Sequence, residues 1–334
     1  MAGLPRMTGT LGLTDGAVGD VLRAASLAPS LHNTQPWLFR LAPDRVELHP
    51  DQDRRLPATD PEDRELRLSC GAALFNLRLG LRRHGIAPVV SLLPGPEAPG
   101  ALAVVRRGWT TPFDEETRAL WEAVPRRRSN RAPFRDQPVP VAHRTALARA
   151  AERERSWLHF VLDGEERTRF RRLAARAHAI QAADEGVRRE LTVWSGERAS
   201  ADGVPRASAG LKPAPADEWA MRDFQAADRP AGEEYESDPL VAVLCSFYDS
   251  PLGELRAGQA LQRVLLTATT LGLAVSFLSQ AIEVRSVRDE IRRSLGGAVL
   301  PQTMLRIGFG SPVPATPRRD VEELLLPSTG HDTS

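Results

Sequence analysis

Ala28-Pro-Ser-Leu-His-Asn-Thr-Gln-Pro-Trp37 is the stretch from which this chain is best read. Upstream of it, Asp20-Val-Leu-Arg-Ala-Ala-Ser-Leu-Ala28 carries helical patterning and stops at Pro29. Proline lacks an N–H, and its ring disfavours continued α geometry. Downstream, Trp37-Leu-Phe-Arg-Leu41 is strand-like and begins just after Pro36. The loop between them holds Ser30, His32, Asn33 and Gln35. Amide side chains offer donor and acceptor together, which suits the polar edge of a flat heterocycle. The plainer reading is Asx-turn chemistry between two prolines. His32 invites a role in acid–base chemistry, but no carboxylate or cysteine can be placed beside it from sequence.

A second segment, Arg127-Arg-Ser-Asn-Arg131, combines guanidinium forks with a hydroxyl and so suits a phosphate. Alternate residues of an extended segment share a side, so Arg127, Ser129 and Arg131 can converge on one phosphate while Arg128 points away. On charge alone, a basic surface loop competes with this reading. Together the two segments describe a planar, phosphorylated, polar-edged cofactor, and flavin mononucleotide (FMN) fits.

PSLHNTQPW resembles the loop after the first long helix of the FMN-dependent nitroreductase superfamily. RRSNR with Pro133-Phe134 resembles that superfamily's phosphate motif, RRSxRxF. The usual member places the arginine motif first; here the loop begins at 29 and the arginines at 127. This reversal, with Arg54-Arg-Leu-Pro-Ala-Thr-Asp-Pro61, Ser69-Cys-Gly-Ala-Ala73 and Thr316-Pro-Arg-Arg319, is similar to the internally duplicated Acg-type nitroreductases of actinobacteria. The resemblance runs over residues 17–326. It implies an α+β, nitroreductase-like fold: two diverged repeats forming an intramolecular pseudo-dimer, with mixed or antiparallel sheets flanked by helices. It further implies FMN as cofactor, NAD(P)H as hydride source, and a nitroaromatic or quinone-like acceptor. The cofactor-binding residues it implies are Pro29, Ser30, Leu31, Asn33 and Gln35 on the loop, and Arg127, Arg128, Ser129 and Arg131 at the phosphate. Ser279 and Gln280 replace the family's Glu-Gly pair beside the flavin N5. Arg318 and Arg319 match a basic pair near the phosphate, or else lie on a solvated tail. No amino-acid nucleophile or general base is implied. A rival reading is a flavin-sequestering protein whose lid blocks nicotinamide access.

The duplication is visible in the residues. Gly71-Ala-Ala-Leu-Phe-Asn-Leu-Arg-Leu-Gly-Leu-Arg-Arg-His-Gly-Ile-Ala87 aligns without gaps on Gly258 to Ala274, a shift of 187 residues. Both copies predict a long helix, a glycine C-cap and a strand. Any two amphipathic helices look somewhat alike, but the matched Gly-Ile-Ala and Gly-Leu-Ala endings argue for kinship. Ala24-Ala25 before Trp37 likewise parallels Ala150-Ala151 before Trp157. The second copy lacks the polar loop and the first lacks an arginine motif. Complementary loss leaves one of two symmetric sites, hence one flavin between residues 17–110 and 125–326. The expected units are 15–112 and 113–326. Within the second, 195–237 is an insertion of weak periodicity: a solvated excursion, or a lid docked through Trp194, Trp219 and Phe224.

Elsewhere the patterning predicts helices at 15–28, 63–84, 140–153, 165–184, 254–271 and 284–295, and one following Asp114. Strands are expected at 37–41, 45–49, 88–93, 102–107, 157–162, 240–247, 273–278 and 303–309. The 334 residues suit two domain-sized units. Net charge is +1 with signs interleaved, which implies no nucleic-acid or membrane-surface partner. Lys212 is the sole lysine, a coding bias more than a functional signal. Cys70 and Cys245 lack CxxC spacing and read as buried thiols in a reducing compartment. Met1 to Thr14 has no signal-peptide pattern, and no apolar run is long enough to span a bilayer; a cytoplasmic protein is expected. The histidines show no HxH or HExxH spacing, so no metal is expected. Gly308-Phe-Gly310 is not a dinucleotide fingerprint, because Pro312 and Pro314 follow where a helix should open.

Overall fold

The computed structural model describes residues 9–196, 201–214, 217–226, 228, 235–236 and 238–327; the rest of the 195–237 insertion lies outside the described residues. The first half runs α1 (Asp15–Ser26), β1 (Trp37–Leu41), β2 (Arg45–Pro50), α2 (Arg64–Arg83), β3 (Ile86–Leu92) and β4 (Ala103–Thr110). After α3 (Glu115–Ala123), the second half repeats the order: α4 (Val141–Arg153) and β5 (Trp157–Val161), then α5 (Gly164–Ala183), α6 (Glu185–Val193) and a two-residue pair, β6 (Ser195–Gly196) and β7 (Val204–Pro205). It closes with β8 (Leu240–Ser246), α7 (Pro251–Thr270), β9 (Ala274–Phe277), α8 (Gln280–Glu283), α9 (Arg285–Ser294) and β10 (Leu300–Gly308).

The two four-stranded sheets have matching orders, β1-β2-β4-β3 and β5-β8-β10-β9. Every ladder within them is antiparallel, so neither is mixed. Where a tight turn joins β1 to β2, the second copy inserts α5, α6 and the long irregular segment between β5 and β8. The short α6 was not anticipated. Asp184 ends α5 and also caps α6 by accepting from Val187 N at 3.0 Å, so no turn residue marks the break.

The halves meet where α2 crosses α7. A Cβ on Gly71 would lie 2.4 Å from the Leu255 carbonyl oxygen, and one on Gly258 would lie 2.1 Å from that of Leu68. Both glycines and both leucines are matched by the 187-residue shift, so the contact is reciprocal, as at a two-fold interface. Each half has its own apolar core against its sheet, around Trp37, Leu48 and Leu74 in one and Leu147, Leu244 and Leu265 in the other. Two segments cross over. Leu325 of the C-terminal tail bridges Phe39 of β1, and Ser129 bridges Val275 of β9. That second bridge places the arginine segment beside the β9–α8 junction.

Candidate functional site

A cavity of about 750 Å³, counting the open space at its mouth, lies between the halves. Pro29, Ser30, Leu31 and His32 form one wall, and Glu65, Leu68 and Ser69 of α2 another. Ser129 and Arg131 face Ser276, Phe277, Ser279 and Gln280 of the β9–α8 junction, with Leu261 of α7 beneath. The insertion supplies the remaining wall through Ala209, Met221, Arg222, Phe224 and Tyr235.

The loop after α1 is strained and strongly held. His32, Asn33 and Gln35 adopt φ of 51°, 57° and 52°, a left-handed region that costs a residue with a side chain free energy unless its surroundings fix it. The fixing is specific. Ser30 Oγ accepts from Gln35 N at 2.9 Å. Asn33 Nδ2 donates to the carbonyls of Gly203 and Pro317, at 2.9 and 3.1 Å. Gln35 Nε2 donates to the Ala201 carbonyl at 2.8 Å, while its Oε1 accepts from Arg319 N at 2.9 Å. These amides are therefore spent tying the loop to the insertion and the tail. Of the five loop residues expected at a cofactor, Pro29, Ser30 and Leu31 reach the cavity wall; Asn33 and Gln35 stand behind it.

The arginines divide similarly. Arg131 lies in the wall, donates to the Ser208 carbonyl at 3.0 Å and stacks over Phe224 at 4.5 Å. Arg128 turns back onto the carbonyls of Pro125 and Arg127. Arg319 is a structural ion pair with Asp51 at 3.0 Å. Arg127 and Arg318 converge on the end of α1: Arg127 Nη2 donates to the Leu27 carbonyl at 3.2 Å, and Arg318 donates to those of Ser26 and Ala28 and to Asn33 Oδ1. Helix C-termini favour such cations.

That cap does not satisfy Arg127, whose buried Nε and Nη1 have no hydrogen-bond partner. Among the described residues no carboxylate pairs with Arg127, Arg131 or Arg318. Burial, then the neighbouring arginines 318, 128 and 131, push Arg127 down to about 9. Burial, then Arg222, pushes Arg131 to about 10, and burial, then Arg128, pushes Arg318 to about 10. Buried charges without counter-ions are costly. A phosphate, which accepts bidentate guanidinium bonds, fits this arrangement.

Arg222 fastens the insertion down. It forms a buried ion pair with Glu283 of α8 and donates to Gln181 Oε1 at 2.8 Å, with His32 Nε2 at 3.2 Å. Burial, then Arg222 and Arg131, hold His32 well below its ordinary value, so it is neutral and can accept from Arg222. Trp219 is buried in a core with Phe170 and Ile282, and Trp194 lies under Arg54. The described part of the insertion packs against the body of the protein and lines the cavity. Sequence analysis overlooked Glu65, Met221, Arg222 and Tyr235. Nothing in their local spacing marks them, since only the return of the insertion and the helix crossing bring them together.

Among the described residues no cluster of His, Cys, Asp and Glu could hold a metal, and no helix is long and apolar enough to cross a membrane. Cys70 and Cys245 are free and buried.

No protein-family model matches the chain. The protein named "Putative NAD(P)H nitroreductase Rv3131" of Mycobacterium tuberculosis is 37% identical over 322 residues, 92% of this chain and 90% of its own length. The "Putative NAD(P)H nitroreductase acg" of the same organism is 30% identical over 325 residues, covering 95% and 97%. A solved nitroreductase with bound FMN from Bacteroides fragilis aligns with 64% of this chain and 97% of its own at 15% identity, with a TM-score of 0.38.

Proposed function

The chain belongs to the nitroreductase family, in its Acg-type branch, and on that premise we propose that it binds one FMN between its halves and acts as an NAD(P)H-dependent oxidoreductase on nitroaromatic or quinone-like acceptors. The observation that carries this reading is the buried cation cluster with two unpaired Arg127 nitrogens, in the segment that also lines a cavity between the halves. Arg127, Ser129 and Arg131 would hold the phosphate, with Arg318 adding charge from behind. Pro29 to Leu31 would address the ring. Ser279 and Gln280 would offer backbone N–H groups where α8 begins, since the first N–H groups of a helix lack internal partners. When bound, FMN supplies the hydride chemistry; the protein supplies position and electrostatics.

The docked insertion supports a second reading, in which the flavin is sequestered with little turnover. Met221 and Phe224 occupy the wall that a nicotinamide would need to approach, and the Arg222–Glu283 pair latches them there. An absorption spectrum of the purified protein, followed by anaerobic mixing with NADPH, separates the possibilities. Rapid bleaching of bound flavin supports the oxidoreductase. A yellow protein that NADPH does not bleach supports sequestration. A protein that takes up no FMN refutes both.

A further inference from the structure

Glu65 is 6% exposed, lies in the wall of the cavity, and its Oε1 is buried without a hydrogen-bond partner. It sits in the first turn of α2, where an acidic side chain ordinarily caps the helix. Here that work is taken by Asp60, whose carboxylate accepts from Arg64 N at 2.8 Å and from Leu66 N at 3.0 Å. Glu65 is left with no capping role, and it also borders a second cleft. That cleft, of about 750 Å³, is lined by Glu62, Arg64, Gln181, Glu283 and Arg288. Glu65 is thus a shared partition between the two spaces.

Resting on the functional reading above, we propose that Glu65 is the proton donor to the acceptor in the cavity, recharged through the outer cleft. A quinone takes one hydride and one proton to become a hydroquinone. A nitro group takes one hydride and one proton to become a nitroso group and water. When bound, FMN reduced by NAD(P)H would supply the hydride. The remaining proton comes, in this proposal, from a group in the cavity wall, of which the described part of the insertion forms one side. In the step, the Glu65 O–H bond breaks as the acceptor O–H bond forms, and the carboxylate then takes a proton from water in the cleft.

The donor must hold a proton at neutral pH. Burial holds the Glu65 carboxyl well above the carboxylate range, reinforced by the negative charges of Glu283 on α8 and Asp60 before α2. Arg64 beside it and Arg222 from the insertion oppose this, with smaller effect. Gln at this position keeps the shape but has no acidic proton.

The test compares wild type, Glu65→Gln and Glu65→Asp, each with FMN bound. Infrared spectra at neutral pH are expected to show a protonated-carboxyl band that disappears in Glu65→Gln, an observation independent of turnover. In stopped flow, reduction by NADPH stays near the wild-type rate. Reoxidation by a benzoquinone falls by about 10²- to 10⁴-fold in Glu65→Gln, the range for loss of a general acid, and partly recovers in Glu65→Asp. Unchanged reoxidation in Glu65→Gln, or a band unaffected by the substitution, overturns the proposal. Failure of NADPH to reduce wild type, or of FMN to bind, overturns the functional reading and this proposal with it, by a readout separate from the Glu65 band.

Discussion

Replacing Arg127 with Met should move folding and flavin binding in opposite directions. Arg127 is buried with Nε and Nη1 unpaired. Burial and the neighbouring arginines push it down to about 9, a depression of several tenfold steps at ~1.4 kcal/mol each. Against this stands one bond to the Leu27 carbonyl, worth about 1 kcal/mol. Met fills the volume without the charge, so the flavin-free variant should unfold at an equal or higher urea concentration than wild type. FMN should lose about 1.5–3 kcal/mol of affinity with the charge-assisted phosphate contact, which is roughly a 10- to 150-fold rise in Kd. Riboflavin, without a phosphate, should bind both proteins alike. The pH dependence follows from the same depression. Between about 9 and the ordinary arginine value the unfolded wild type holds the Arg127 proton more tightly than the folded state does. The wild-type penalty is therefore complete below that window and fades as pH rises through it. Urea midpoints and fluorescence titrations of both flavins provide the data. A variant several kcal/mol less stable, with equal losses for FMN and riboflavin, would make Arg127 a cap of α1 and nothing more.

Flavin release and quantitation should give one FMN per chain, because each half keeps only what the other lacks; two per chain would remove the complementary-loss argument. Arg222→Met leaves the buried Glu283 without its counter-ion, a change worth about 3–5 kcal/mol, and should release the insertion. Anaerobic flavin reduction by NADPH should then speed up while FMN stays bound, as it should when about 200–230 is replaced by a short Gly/Ser linker; an unchanged rate would mean the insertion does not gate access. Gly258→Ala puts a methyl group 2.1 Å from a backbone oxygen, and overpacking of this kind costs about 1–3 kcal/mol. A urea midpoint equal to wild type would show that α2 and α7 are free to part.

Much of the architecture was written locally. The 3.6-residue patterning and glycine caps placed α2 and α7, whose alignment under one shift foretold the matching sheets. Pro29 and Pro36 bounded the loop because proline acts on its own neighbours, whatever surrounds it. Ser129 and Arg131 could be paired with the loop because each segment carries its chemistry in consecutive residues. Tertiary structure decided the rest. Asn33 and Gln35 tie the loop through partners at 201, 203, 317 and 319, all remote in sequence. Trp219 and Phe224 show a segment of weak periodicity folding back as a wall, which only apolar surfaces made by other elements can direct. Glu65 reads in sequence as an ordinary first-turn acid. Its place in the cavity wall exists only once α2 lies beside α7, the β9–α8 junction and the insertion. Ionisation follows from solvation and neighbouring charge, and neither is a property of consecutive residues.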